Sequence, residues 1–252
     1  MSIISDSIDP SRLREADIAA YHEHGYVVLR GMVAAGDCVA LRDEILAIMS
    51  AIGLPDGTPL RQSGEYLAGS ALDRHVNGEG LRELAARLVG GPCRLYLPFT
   101  AVKAPGGGKF SFHQDNQYTR LDGPAVNLWL ALTPMGEAEG TLRMLPGSHR
   151  QGTLKSVEST DAAGHRMVDF AVERFQTLEL EPGDLVAFSR LTVHGSGANR
   201  SASPRIGYAT QFHRDDVRAF FDERWELLTE RPRWPMGPVA RIGVPSGKQD
   251  GH

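Results

Sequence analysis

Four side chains in this sequence are of types that do chemistry at spacings that could bring them together: His113 and Asp115, then His194, then Arg205. Two imidazoles and one carboxylate can occupy one face of a divalent metal and leave the opposite face open, the arrangement of non-haem Fe(II) oxygenases. Side chains alternate along a β-strand, so a strand through this motif points His113 and Asp115 one way and Gln114 the other. His194 would close the set from a distant strand. The stretch Gly195-Ser196-Gly197-Ala198-Asn199-Arg200-Ser201-Ala202-Ser203-Pro204 is dense in turn formers, and it predicts a hairpin that returns Arg205 beside the metal. A guanidinium is permanently charged and offers a planar fork of donors, so Arg205 there would hold a carboxylate through two parallel hydrogen bonds. His22, His24, His75, His165, His213 and His252 have no partner at ligand spacing, and His149 sits in a turn, so these are expected to be structural.

The elements that must position these residues are legible as periodicities. Leu13 to His24 has helical apolar spacing and stops at Gly25, a good C-terminal cap, and Tyr26 to Leu29 follows as a strand. Asp37 to Ile52 carries a stripe of Val39, Leu41, Ile45, Leu46, Met49 and Ile52, which predicts a helix lying on a sheet. Residues 53 to 78 are rich in Gly, Pro and polar side chains and read as a long loop with at most a short helix; Glu79 to Val89 is helical. From Cys93 onward short β-rich runs alternate with turn signals such as Pro105-Gly106-Gly107-Gly108, Pro134-Met135-Gly136 and Pro182-Gly183-Asp184. The expected fold is mainly β with flanking helices, a double-stranded β-helix or cupin-like jelly roll whose mouth can host a metal. Residues 150 to 176 interrupt the strand series and are the candidate lid. Asp215 to Glu230 reads as a C-terminal helix with Phe220, Phe221, Trp225 and Leu228 on one face, followed by an extended proline-rich tail to residue 252.

Composition sets outer bounds. At 252 residues the chain fits one domain with an ample core, and 41% hydrophobic and 23% charged residues are ordinary for a soluble globule. A formal net charge of -4 offers no basic surface for nucleic acid or anionic membrane. Cys38 and Cys93 are too few for a disulfide framework and lack zinc-site spacing. With no signal-like N-terminus and no apolar run long enough for a membrane span, the expected location is the cytoplasm. The oligomeric state is not legible.

Several further segments fall in a fixed order around the motif: Phe112 before it, Asn127 to Leu132, Gly140 to His149, Glu181 to Phe188, Val193 to Ser196, and Tyr21 to Leu29 near the start. With these the chain resembles the phytanoyl-CoA dioxygenase family of Fe(II)- and 2-oxoglutarate-dependent oxygenases over roughly residues 18 to 213. The resemblance implies that His113, Asp115 and His194 ligate iron, and that Arg205, helped by Ser196, grips the distal carboxylate of 2-oxoglutarate. It also implies that Trp129 and Phe99, or Thr100 one residue on, line the keto-acid pocket, with Arg61 near the position of an upstream basic residue. The reaction would consume O2 and 2-oxoglutarate, release succinate and CO2, and oxidise a C–H bond of a small-molecule substrate. Halogenating relatives replace the acidic ligand with a small residue, so Asp115 argues against halogenation. Nothing here resembles a CoA-binding feature, and the founding substrate of the family is not carried over.

Plainer readings stand beside these. Trp129 in an apolar strand fits a core residue, and Ser196 and Asn199 fit turn formers. Arg143, between Leu142 and Met144, either reaches an anionic group of the substrate with Tyr118 and Asn116 as neighbours or faces solvent. Two competing functions are a cupin-like metal hydrolase or isomerase without a keto acid, and a non-catalytic binding module that keeps the fold.

Overall fold

The computed structural model describes residues 8–52, 66, 68–159 and 166–229. Arg61, His165 and the proline-rich tail lie outside the described residues. Four helices come first in the chain, α1 (Glu15–His24), α2 (Ala35–Ile52), α3 (Ala71–Asn77) and α4 (Glu79–Val89), with β1 (Tyr26–Leu29) between α1 and α2. Thirteen more strands follow: β2 (Cys93–Lys103), β3 (Phe110–His113), β4 (Leu121–Asp122), β5 (Ala125–Ala131), β6 (Leu142–Met144), β7 (Ser156–Glu158) and β8 (Arg166–Val168), then β9 (Gln176–Thr177), β10 (Leu185–Ser189), β11 (His194–Ser196), β12 (Arg205–Arg214), β13 (Arg218–Phe221) and β14 (Arg224–Leu227).

The strands form a five-stranded sheet in the order β1-β10-β5-β12-β2 and a four-stranded sheet in the order β3-β11-β6-β9, antiparallel throughout. Period-2 alternation gives the larger sheet two different faces. One face presents Leu128, Leu130, Leu185, Ile206 and Tyr208 to the helices, where Leu41, Ile45, Leu81, Leu84 and Leu88 complete a single core cluster. Burial of each such leucine is worth about 1.5–3 kcal/mol, so this face anchors the sheet. The other face presents Trp129, Ala131, Val186, Phe188 and Ala209, and Leu142 and Met144 of the smaller sheet pack against them. The fold is the expected jelly roll with flanking helices, and the functional residues project into the space between its sheets.

Three expectations need correction. The buried face of α2 runs through Cys38, Leu41, Ile45, Ile48 and Met49, whereas Val39 and Leu46 are 46% and 40% exposed; the expected stripe takes in these two and leaves out Cys38 and Ile48. The segment after His194 is not a hairpin: β11 pairs with β3 and β6 in the smaller sheet, and β12 pairs with β2 and β5 in the larger one. Its turn formers build a crossover between the two sheets. Over the described part of the stretch expected to be helical, residues 215–229, the chain instead forms the β13–β14 hairpin, turning through Asp222 and Glu223 at φ 46° and 65°. Such a turn is usually announced by Asn-Gly or Asp-Gly, and Asp-Glu conceals it. Within the candidate lid, β7 and β8 pair antiparallel. No described helix is long and apolar enough to cross a membrane.

Candidate metal centre

His113 is the last residue of β3, Gln114 stays extended (φ -112°, ψ 139°), and Asp115 opens a 3-10 turn. The alternation expected of a strand therefore holds for one residue beyond it. Gln114 points away and is fully committed: its Nε2 donates to the carbonyls of Gly152 (2.9 Å) and Leu191 (2.6 Å), and its Oε1 accepts from the Leu154 amide (2.8 Å). His194 opens β11 directly opposite His113, and Met144 flanks it on the other side. The turn at Pro146 to His149 fixes that strand, since Ser148 Oγ accepts from the Val193 amide at 2.8 Å and donates to the Leu145 carbonyl at 2.7 Å.

Ligand atoms of His113, Asp115 and His194 all lie within 4.8 Å of one another, and the three residues are buried. Asp115 Oδ1 is 3.8 Å from Nε2 of each histidine. The opposite ring nitrogens settle the tautomers: His113 Nδ1 contacts the Ser111 carbonyl (2.9 Å) and His194 Nδ1 the Thr192 carbonyl (3.0 Å). A carbonyl only accepts, so each Nδ1 carries the proton and each Nε2 lone pair is left for a cation. Phe110 and Phe188 pack their rings on His113 and His194, with centroids 4.7 and 4.5 Å away. This donor set fits a divalent metal with an open face.

The second oxygen of Asp115 is held by residues that sequence reasoning missed. Oδ2 accepts from Gln211 Nε2 (3.1 Å) on β12 and Asn127 Nδ2 (3.3 Å) on β5, which are register partners. Arg190 supports Gln211 and the Asp115 backbone: its guanidinium donates to Gln211 Oε1, to the Asp115 carbonyl (2.9 Å) and to the Thr119 carbonyl (3.2 Å). Burial works to raise the Asp115 carboxyl, but the charges of His194, Arg190 and His113 and the Asn127 hydrogen bond outweigh it. The group is held below the usual carboxylate range, ionised and ready to ligate.

Inward positions of β12 run Arg205, Gly207, Ala209, Gln211, and their partners on β2 run Lys103, Ala101, Phe99, Leu97. Phe99, Ala209 and Trp129 thus form one row across three strands on the inner face, whereas Thr100 pairs with Tyr208 on the helix-facing side. A side chain at Gly207 would place its Cβ 2.2 Å from the Trp129 ring, so only glycine lets the indole lie across β12. The Arg205 guanidinium sits over the same ring, 5.4 Å from its centroid. Arg205 is 2% exposed, its Nε has no hydrogen-bond partner, and burial lowers its pKa to about 10. Ser196 lies near this end through Lys103, whose Nζ donates to Ser196 Oγ at 2.8 Å. Asn199 braces the crossover, its Nδ2 donating to the Lys103 and Ser203 carbonyls (3.1 and 2.9 Å).

The remaining candidates separate. Tyr118 is 41% exposed and turns its ring edge to His113, with centroids 5.6 Å apart. The Asn116 side chain is engaged within the protein: its amide donates to Thr153 Oγ1 (2.8 Å) and the Leu121 carbonyl (3.3 Å), and its oxygen accepts from the Leu121 amide (3.0 Å). Arg143 pairs with Gly195, while its neighbours Met144 and Leu142 pair with His194 and Ser196. It therefore leaves the sheet on the face opposite the ligands, beside Phe175 (5.0 Å to the ring centroid) and Glu137 (3.5 Å). The alternation that suggested Arg143 also removes it, because His194 fixes which face is inward.

A buried two-histidine, one-carboxylate face between the sheets of a jelly roll defines the class: a non-haem metal centre. The chain belongs to the phytanoyl-CoA dioxygenase family, whose model matches residues 21–207. It is 28% identical over 230 residues to 1-deoxypentalenic acid 11-beta-hydroxylase of Streptomyces exfoliatus, covering 80% of this chain and 81% of that one. With phytanoyl-CoA dioxygenase domain-containing protein 1 of Danio rerio it shares 22% identity over 284 residues, covering 88% and 98%. Similar solved structures include EvdO2 of Micromonospora carbonacea var. aurantiaca complexed with 2-oxoglutarate, with TM-score 0.69, 18% identity and coverage of 91% and 98%. The epimerase SnoN, solved with Fe3+, alpha-ketoglutarate and nogalamycin RO, gives TM-score 0.69 at 22% identity, covering 95% and 92%.

Proposed function

We propose that this protein is an Fe(II)- and 2-oxoglutarate-dependent oxygenase that oxidises a C–H bond of a small molecule, releasing succinate and CO2. The observation that carries the reading is the pairing of a three-ligand metal face with a buried guanidinium that no carboxylate among the described residues pairs, both on one inner surface. His113, Asp115 and His194 would hold the iron. Arg205 and Ser196 would hold the far carboxylate of the keto acid, with Trp129 and Phe99 as its apolar wall.

When bound, the iron and keto acid supply the oxidising power and O2 activation. The chain's own residues bind, orient and exclude water. Nδ1 hydrogen bonds fix both imidazoles, Gln211 and Asn127 turn one oxygen of Asp115 away from the metal face, and Phe110 and Phe188 screen the ligands. The relatives' reactions, a hydroxylation in one name and an epimerisation in another, support a small-molecule substrate and leave the outcome on the bound C–H open. A hydrolase or isomerase without a keto acid gives Arg205 no role, which weighs against that alternative. The part of 150–176 that is described is tied to the motif by Thr153, Leu154 and Lys155 hydrogen bonds to residues 114–117, which supports a cover over this side of the site.

The test is anaerobic addition of Fe(II) and 2-oxoglutarate, followed by air. A visible charge-transfer band and slow succinate release are expected. Absence of the band while both ligands demonstrably bind sinks the reading.

A further inference from the structure

Lys103 and Arg205 are register partners across β2 and β12, on the same inner face, 0% and 2% exposed. Lys103 Nζ donates to Ser196 Oγ (2.8 Å) and to the Gly197 carbonyl, both neutral acceptors. Among the described residues no carboxylate pairs with either cation. The other charged group close by is Arg143 on β6, which reaches the outer side of Gly197 and has Glu137 as its partner; Asn199 contributes only an amide to the Lys103 carbonyl. Two neighbouring buried cations without a counter-ion are costly when both are charged. A guanidinium does not give up its proton in a protein, so the amine is the group that yields. Burial first, then the charges of Arg205 and Arg143, bring Lys103 down to about 6.

We propose that Lys103 is the second cation of the carboxylate site and takes up a proton when a dicarboxylate keto acid binds. This rests on the keto-acid reading above. In the free protein near neutral pH the site carries one positive charge, on Arg205. An arriving carboxylate adds a negative charge beside the amine, which raises its proton affinity, and the proton comes from solvent. Lys103 also works through Ser196: with its oxygen accepting from Nζ, the hydroxyl proton is left to donate to the carboxylate. The sign follows. Below the free-state value the amine is charged in both states and affinity is level; above it affinity falls as pH rises, until the bound-state value is reached. A keto acid with no second carboxylate brings no charge to this end and draws no proton.

The experiment is calorimetric titration of the Zn(II)-loaded full chain with 2-oxoglutarate at about pH 7.5, in phosphate and in Tris, whose ionisation heats differ. Uptake of roughly one proton per keto acid is expected, with none for pyruvate. Lys103→Met and Lys103→Arg should bind 2-oxoglutarate without proton uptake, and Lys103→Arg should show an affinity that is flat between about pH 6 and 8. Heats independent of buffer in the wild type, or uptake undiminished in both variants, overturn the proposal. If the variants do not fold, the wild-type comparison still decides, since equal uptake with pyruvate and 2-oxoglutarate also overturns it. Failure of 2-oxoglutarate to bind at all removes the keto-acid reading and this inference with it, whereas binding without proton exchange removes Lys103 alone.

Discussion

The two ends of the inner face of β12 are built on opposite electrostatic plans. At Gln211 opposite charges meet: the Asp115 carboxylate accepts from two amides, and Arg190 stands behind them with hydrogen bonds to three acceptors, leaving over only its own Nε and Asn127 Oδ1. At Arg205 two cations face each other with neutral acceptors or none. Buried polar groups are normally satisfied, and an unsatisfied one in a native fold asks for an explanation. The saturated end is ready for a metal without rearrangement. Under the keto-acid reading, an anion completes the other end.

Removing a ligand should break the saturated end most severely. His113→Ala, Asp115→Ala or His194→Ala is expected to abolish succinate formation and lower bound iron, checked by metal analysis beside product assays. Near-wild-type turnover with full iron in any one of them takes that residue out of the site. At the other end, Arg205→Ala should weaken 2-oxoglutarate binding by about 2–5 kcal/mol, the usual cost of truncating one side of a buried charge pair, while Fe(II) affinity is kept. An unchanged keto-acid affinity would make Arg205 purely structural. Gln211→Leu tests whether saturation matters: loss of a hydrogen bond that orients a ligand typically costs about 10–100-fold in metal affinity, read by competition with a chelator. Wild-type metal affinity in a folded Gln211→Leu would mean that Asp115 is held well enough without it.

The ends also differ in what they do to the ligand-free protein. Burial brings the Lys103 amine down from the 10.5 usual for an exposed lysine to about 6 in the fold. Between these values the unfolded chain binds the extra proton, so this group makes stability rise with pH across that window. Lys103→Met should therefore raise the melting temperature at neutral pH and flatten its rise toward pH 9; an unshifted melting curve would show that the amine is not desolvated. The smallest effect is expected at Arg143. As an outward residue paired with an exposed carboxylate it should contribute about 0–1 kcal/mol, and Arg143→Ala should leave substrate-free 2-oxoglutarate turnover unchanged. A large loss in that assay would contradict its outward placement.

What was legible in the sequence follows the range of the signal. His113 and Asp115 are two residues apart on near-extended backbone, so alternation alone places them together. Helices α1 and α4 carry their own caps in Gly25 and Gly90. Lys103, Asn127 and Gln211 reach the site through cross-strand register, and Arg190 from the turn that follows β10, none of which local spacing encodes. One signal was present: Asn127 interrupts an apolar run, and a polar residue inside a buried strand wants a partner. Arg143 gave the same signal for an ordinary reason, a surface ion pair. The C-terminal hairpin was lost because aromatic residues fit either periodicity and its turn lacks glycine.

The strand β12 also works as a ruler. Its inward side chains recur only every second residue, about 6.6–6.8 Å apart, and Gly207 lets the Trp129 ring bridge the interval between Arg205 and Ala209. A carbon chain lengthens by roughly 1.3 Å per methylene, far less than one step of that ruler. Under the keto-acid reading, no single substitution can slide the guanidinium to suit a dicarboxylate one carbon longer or shorter. A slip in register would turn the opposite face inward and cost the whole helix-side core. The choice of co-substrate is written into sheet pairing, while the turns and short strands around Tyr118 and residues 150–159 can change sequence without disturbing it.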